Sequence, residues 1–496
     1  MRYASQTARL VLPACLLLVA SCASYTPANP PLAKYTPEAG YRFERLERGP
    51  NSDELFVIVT FSGGGTRAAA LAYGVLEALR DTTIEWQGRR TALLDEVDVI
   101  SSISGGSFPA AYYALRGPQI FDEFPERFLY QPVQNSLVNR AFSPANWLKL
   151  AAPTFGRSDL AAEFYHREVF QGGTYADVIA RNRRPFVILN ATDMTTGTPF
   201  PFIQDQFDLM CSDLAGVSLA RAAASSSAFP GGLTALTFRN YAGTCQYRQP
   251  AWVQIAAEDH ASRVNPRRTA RAENRLSLAA EGPARPYVHL TDGGVADNIG
   301  LRGPLEAIAS TNHPWSVLQM MNKQRVNKLV VIVVNAATEP ETDRDQHATV
   351  PGLIDTLTTA ATVPLDNYSF DTVELLGKTM TEFNTDAVLV EGCNKLSASK
   401  GEQCALKLPS PHKVDLYPVQ VAFEYIASRE ERTWFKNLPT TFVLPRETID
   451  KLRAVARQLL SEDPQFQNLL KALNGCLAGG ERACAEKVGR HEEQNL

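Results

Sequence analysis

Long apolar runs are the first thing this 496-residue sequence lacks. Beyond residue 20 no segment is long and apolar enough to cross a bilayer as a helix, so the body is expected to be soluble and tethered. Neither His-Glu-x-x-His nor Cys-x-x-Cys occurs, so no metal site is expected. No loop of EF-hand type occurs either, and calcium is not called for. A large charge excess is also missing. The 49 basic and 53 acidic residues leave a net charge of −4, which offers no general attraction for nucleic acid. Histidine is scarce, with seven in the chain, and no segment recurs at a fixed spacing.

What is present is an ordinary globular composition, 45% hydrophobic and 21% charged, in a chain long enough for one large domain with additions or for two. The first residues stand apart. Arg2 and Arg9 precede an apolar stretch, Leu10 to Ala20, of signal-peptide length. It ends in Val19-Ala20-Ser21-Cys22, which resembles the lipobox of bacterial lipoproteins. The resemblance implies that residues 1–21 are a signal peptide and that Cys22 is lipidated. With no Asp after Cys22, it also implies anchoring to the outer membrane of a bacterial cell envelope. An ordinary secretory signal is the rival reading. Residues 22–51, rich in Pro, Ala and Tyr, read as a tether. Six cysteines remain: Cys211, Cys245, Cys393, Cys404, Cys476 and Cys484. An even count in an exported chain favours disulfides over buried thiols, and nearest-neighbour pairing is one of several connectivities the sequence permits.

Beyond the tether the chain alternates strands with helix-compatible stretches. Leu55 to Phe61 is a continuous apolar, β-branched run of the kind buried on both faces of a sheet. Val97–Ser101, Phe186–Ala191, Tyr287–Thr291 and Leu329–Asn335 read as further strands. This alternation predicts a three-layer α/β/α sandwich, mainly parallel, with a helical C-terminal region. Residues 241–286 interrupt the rhythm. They carry Arg263, Arg267, Arg268, Arg271, Arg275 and Arg285, which read as a solvated loop in preference to a surface for anionic lipid headgroups.

Three glycine-containing turns carry chemistry. Ser102-Ile103-Ser104-Gly105-Gly106 lies between a strand and a helix, the setting of a nucleophile elbow, although Ser102 stands where glycine is usual. Gly63-Gly64-Gly65-Thr66-Arg67 also joins strand to helix, and its backbone N–H groups suit an anion hole. No Lys-Ser/Thr pair follows, so a nucleotide loop is not matched. Arg67 reads as support for that turn in preference to an anion ligand. Asp292-Gly293-Gly294 follows the fourth strand, where a carboxylate can approach a neighbouring loop.

Taken together, in this order, the three turns resemble the blocks of the patatin-like phospholipases over about residues 52–335. Asn190-Ala191-Thr192-Asp193 and Ala224-Ser225-Ser226-Ser227-Ala228-Phe229-Pro230-Gly231 are similar to further blocks of that family. The resemblance implies a Ser-Asp dyad without histidine: Ser104 as nucleophile, Asp292 as its base, and the 63–65 N–H groups as oxyanion hole. It implies a phospholipid or lysophospholipid substrate at a membrane, no cofactor and no nucleic-acid partner. The acyl hydrolase domain is then 52–445, with an insertion at about 241–286, and 446–496 is a helical extension.

The rival mechanism is a Ser-His-Asp triad drawing on His166, His260, His289, His313, His347, His412 or His491. Strand alternation turns His289 away from Asp292, and none of the others sits in a convincing end-of-strand setting. A carboxylesterase or thioesterase on soluble esters, and a non-catalytic lipid-binding lipoprotein, are the alternative functions. Asp193 is expected to cap a turn. Phe200, Phe202, Phe207 and Phe229 line an acyl groove or belong to the core.

Overall fold

A computed structural model describes residues 29–258, 266–280, 284–338, 352–400 and 413–478, together with positions 25, 27, 348 and 350. The expected signal peptide, Cys22, Cys404, Cys484, Arg263, His260, His347, His412 and His491 lie outside the described residues.

The strands are β1 (Leu55–Phe61), β2 (Thr82–Trp86), β3 (Arg89–Ala92), β4 (Val97–Ile103), β5 (Phe186–Asp193), β6 (Thr198–Pro201), β7 (Leu236–Arg239), β8 (Tyr287–Thr291), β9 (Lys328–Asn335), β10 (Asp415–Ala422) and β11 (Cys476–Leu477). The main sheet runs β10-β9-β1-β4-β5-β8-β7, with β6 also on β5. From β10 to β5 every pairing is parallel, while β8 meets β5 antiparallel and β7 meets β8 antiparallel. All residues of β1, β4 and β5 are buried, because helices cover both faces. The predicted α/β/α architecture, mainly parallel, is the one found.

Strand β10 is absent from the sequence reading. Pro418 within it removes a backbone donor, and its alternation is weak, with Asp415 exposed and Leu416 to Pro418 half-buried. The strand tolerates proline because it lies at the sheet edge, where one side needs no partner.

The helices that frame the site are α1 (Gly65–Arg80), α2 (Ser107–Arg116) and α3 (Leu219–Ser226). Farther along are α4 (Ala251–Glu258), α5 (Pro266–Leu278), α6 (Arg302–Ala309), α7 (Leu353–Lys400), α8 (Arg446–Glu462) and α9 (Pro464–Ala472). Helix α8 packs directly on α1. Gly74 permits the approach, since a Cβ there would lie 2.7 Å from the Arg453 carbonyl oxygen. Arg453 then forks onto Glu77 at 3.0 and 2.8 Å. Residues 446–472 thus share the central core: Ile449, Leu452, Leu459 and Phe466 are buried in the same cluster as β1 and β4.

Cys211 and Cys245 form the expected disulfide. Cys476 is disulfide-bonded as well. Cys393 departs from the nearest-neighbour pairing: on the exposed side of α7 it carries a free thiol. No described helix is long and apolar enough to cross a membrane.

Candidate active site

Strand β4 delivers Ser104 to the C-terminal edge of the parallel strands. Ser104 adopts a positive φ of 47°, uncommon for a residue with a side chain and typical of the strained turn that lifts a nucleophile off a sheet. The chain then turns through Gly105 and Gly106 into α2. Both glycines are dictated by packing. A Cβ on Gly105 would sit 2.1 Å from the Gly65 carbonyl oxygen, and one on Gly106 would sit 2.7 Å from that of Ser62. Ser102, in the place of the usual first glycine, is buried and donates to the Ile188 carbonyl at 3.2 Å. Ser107 Oγ lies 3.2 Å from Ser102 Oγ and 2.9 Å from Ser226 Oγ.

Ser226, at the end of α3, closes this layer. Its Oγ accepts from the Ser104 N–H at 2.8 Å and donates to the Asn190 carbonyl at 2.6 Å. The small-residue block 224–231 therefore underpins the elbow. Ala228 extends the support to the other half of the site, since its carbonyl accepts from the Asp292 N–H at 3.1 Å. Sequence reading singled out the block and missed these roles. The Ser226→Ala protein is expected to fold, with kcat reduced by roughly tenfold to a hundredfold and KM little changed, because a buried N–H loses its acceptor under the strained turn. Steady-state kinetics on a soluble ester, beside thermal melting, reads this out.

Strand β8 enters antiparallel to β5, pairing Thr291 with Thr192. Its C-terminal end thus runs back alongside β5 toward the elbow. Asp292 follows immediately, and Ser104 Oγ donates to its Oδ2 at 2.8 Å. The Gly294 N–H donates to Oδ1, also at 2.8 Å. Thr192 Oγ1 fixes the backbone by donating to the Asp292 carbonyl at 2.8 Å. Gly293 has no room for a side chain, because a Cβ would be 2.2 Å from the Asn190 carbonyl oxygen. Asp292 is 4% exposed. Burial pushes its pKa from 3.8 up to about 7, against the opposing pull of its hydrogen bonds from Gly294 and Ser104.

The glycine loop lies across the elbow. Gly64 and Gly65 have φ of 135° and 60°, a pattern that turns successive N–H groups to one side. Of the three N–H groups expected in the anion hole, that of Gly63 is already committed, donating to the Asn298 carbonyl at 3.0 Å. The N–H groups of Gly64 and Gly65 have no acceptor among the described residues. The Asn298 side chain stands half-exposed at the same place; a Cβ on Gly63 would be 2.7 Å from its Oδ1 and 3.3 Å from Ser104 Cβ. Arg67 lies beside Gly64 and is bonded to neighbouring segments of the chain. Its guanidinium donates to the Ala336 carbonyl at 2.9 Å, to the Leu438 carbonyl and to Thr440 Oγ1. It clamps a C-terminal strap over the loop, and the Thr441 carbonyl accepts from the Thr66 N–H at 2.8 Å.

The remaining sequence candidates fall elsewhere. Among the described residues no histidine bonds to Ser104 or Asp292. His289 lies 3.0 Å from Thr237 Oγ1, and His313 packs edge-on against Trp315. Asp193 caps its turn through the Thr195 N–H at 3.0 Å and pairs with Arg285. Phe200, Phe202 and Phe207 are fully buried against one another, so they are core. No cluster of metal ligands occurs among the described residues.

The arginine-rich insertion is not a solvated loop. It forms α4 and α5, with Arg271 and Arg275 over the Trp252 ring at 5.0 and 5.9 Å. Arg271 bonds to the Asn312 carbonyl, and Arg275 bonds to Tyr247 Oη. Both arginines line a cavity of about 540 Å³ that reaches Ser101 and Asn190 but neither Ser104 nor Asp292.

The sequence matches no curated protein. Among solved structures it is similar to human GIVD cytosolic phospholipase A2, at 13% identity and a TM-score of 0.33, covering 62% of this chain and 48% of that one. The same human enzyme in complex with methyl gamma-linolenyl fluorophosphonate matches at 13% identity and a TM-score of 0.37, covering 85% and 59%. VipD from Legionella pneumophila matches at 10% identity and a TM-score of 0.29, covering 92% and 73%. The chain thus spans roughly half the length of the human phospholipase chains it matches. Residues 59–305, which hold the glycine loop, the elbow and Asp292, match the family model of the patatin-like phospholipases, and the chain belongs to that family.

Proposed function

We propose that this protein is a serine lipid acyl hydrolase acting on fatty acyl esters of phospholipids or lysophospholipids through a Ser104–Asp292 dyad. The observation that carries the reading is the 2.8 Å hydrogen bond from Ser104 Oγ to a buried carboxylate. Among the described residues no cation stabilises that carboxylate, and a pKa pushed up to about 7 suits a base working near neutral pH. Asp292 takes the Ser104 proton as Oγ attacks the ester carbonyl carbon. The new oxyanion is met by the N–H groups of Gly64 and Gly65 at the N-terminus of α1. Collapse expels the alcohol, which receives the proton held by Asp292. Water then loses a proton to Asp292 as it attacks the acyl carbon; collapse breaks the bond to Ser104 Oγ, which takes that proton back as the fatty acid leaves. The lipobox-like Cys22 extends the reading to a protein tethered at the bacterial outer membrane, where an anchor raises the local concentration of substrate.

The test is the pH profile. Below its pKa Asp292 is protonated and accepts no proton, so kcat/KM falls about tenfold per pH unit beneath roughly pH 7. An ordinary exposed Asp would hold activity constant down to about pH 4. Rates on a non-ionising soluble ester between pH 5 and 9 decide between them: a flat profile to pH 5 means that burial does not hold the Asp292 carboxyl protonated, and loss of turnover in Asp292→Asn then decides whether it is the base. Comparing the same ester with phospholipid vesicles separates lipid hydrolysis from simple esterase activity. A protein inert toward both, and unlabelled by a fluorophosphonate, is a lipid-binding lipoprotein instead.

A further inference from the structure

The segment after the first helices of the domain leaves apolar side chains uncovered. It comprises two short helices, Val133–Ala141 and Pro144–Leu150. The first buries only Val133, and the second buries no residue although it carries Trp147, Leu148 and Leu150. Val138 is 48% exposed, Phe142 75%, Trp147 59% and Leu148 55%. A run of large exposed apolar side chains over eleven positions is a contact surface far more often than an accident of composition.

Charge identifies the occupant. From Arg127 to Ser158 the chain has Arg127, Arg140, Lys149 and Arg157 and not one Asp or Glu, in a protein whose net charge is −4. Lys149 meets Glu163 at 2.8 Å and Arg140 meets Glu168 at 3.6 Å. Lys149 and Glu163 are exposed, and exposed Glu168 meets a half-buried Arg140, so both pairs lie at the solvent boundary where competing anions replace them. Apolar side chains including a Trp, interspersed along the chain with cations, fit the headgroup boundary of an anionic bilayer.

Position ties this surface to the site. Gln134, on the first of the two helices, accepts from Thr441 Oγ1 at 2.5 Å and from the Phe442 N–H at 3.1 Å. The Thr441 carbonyl in turn holds the Thr66 N–H beside the glycine loop. The helix that begins this surface is therefore joined, through the strap, to the glycine loop. The arginines of 263–285 that the sequence offered for this task are, where described, largely spent on Trp252, Tyr247, Asn312 and Asp193.

We infer that residues 133–150 dock the protein on an anionic phospholipid surface, with Phe142, Trp147 and Leu148 entering the headgroup boundary and Arg140 and Lys149 meeting lipid phosphates. This rests on the lipid-hydrolase reading for its purpose, though not for its test. The probe is vesicles of phosphatidylcholine with or without phosphatidylglycerol. The protein is the mature chain from residue 23, carrying Ser104→Ala so that vesicles stay intact; starting after Cys22 leaves neither an acyl anchor nor the apolar stretch Leu10–Ala20 to contribute. Flotation is expected to show binding to the phosphatidylglycerol vesicles. Replacing Phe142, Trp147 and Leu148 together by Ser is expected to weaken it by at least roughly tenfold at an unchanged melting temperature. Arg140→Ser with Lys149→Ser should remove the preference for phosphatidylglycerol, as should high salt. Independently of folding in the variants, brominated lipid should quench Trp emission in the parent and less in Trp147→Phe. Vesicle binding unchanged by the triple substitution, or no quenching assignable to Trp147, overturns the inference. So does a concentration-dependent dimer that the triple substitution abolishes while vesicles are ignored. An inactive wild type that still binds vesicles through this patch would sink the hydrolase reading alone.

Discussion

Ser104→Ala is expected to release fatty acid from lipid esters at least on the order of 10⁴-fold more slowly than the wild type, with no loss of folding. The Oγ is the only atom removed, and it makes one hydrogen bond, to Asp292. Alanine keeps the backbone N–H that Ser226 holds, so the turn persists. What disappears is the covalent route, and the Gly64 and Gly65 N–H groups are left with no tetrahedral adduct to stabilise. Covalent labelling by a fluorophosphonate should vanish in step with turnover. Residual labelling at another serine, with activity retained, would move the nucleophile elsewhere and leave the elbow a structural turn.

Asp292→Asn carries an expectation with two opposed signs. Activity should fall by roughly 10²–10⁴-fold, since the amide takes no proton from Ser104. Stability at pH 8 should rise. The sign follows from burial. The folded-state pKa, about 7, lies above the ordinary 3.8, so folding takes up a proton between these values. The folded protein is then penalised as pH climbs from about 4 to about 7, and the full cost, on the order of 4 kcal/mol, applies above that window. Asparagine is never charged and avoids that cost. Its Oδ1 still accepts from the Gly294 N–H, and its Nδ2 faces Ser104 Oγ. Denaturant unfolding of both proteins at pH 5 and pH 8 measures the effect. The variant's advantage should appear at pH 8 and shrink at pH 5. A variant less stable at both would mean that Asp292 is held as an ion by interactions stronger than its desolvation. A gain in stability on losing the base is the expected mark of a group kept for chemistry at a cost to the fold.

How far the site was legible in the sequence can be argued residue by residue. The elbow at Ser104, the glycine loop and Asp292 were readable because each depends on local covalent features: a β-branched run ending in residues that permit a sharp turn, then a helix. Five strands of the main sheet were readable for the same reason, being buried on both faces or bounded by turns. Strand β10 was not, because Pro418 is permitted only by the edge position its neighbours give it.

Sequence by itself therefore determined the α/β layering with a mainly parallel sheet, the three turns and the family they announce. Tertiary structure alone decided which of those groups are free to act. It brought Ser104 to Asp292 across 188 positions of chain and Ser226 to Ser104 across 122. It tied up the Gly63 N–H on Asn298 and spent Arg67 on carbonyls of the C-terminal strap. It turned the arginines of the insertion inward onto Trp252 and left Phe142 and Trp147 in water. The physical reason is one of range. Turn and strand preferences act between neighbouring residues. Whether a donor is already bonded, or a carboxylate is desolvated, depends on atoms the chain brings from far away.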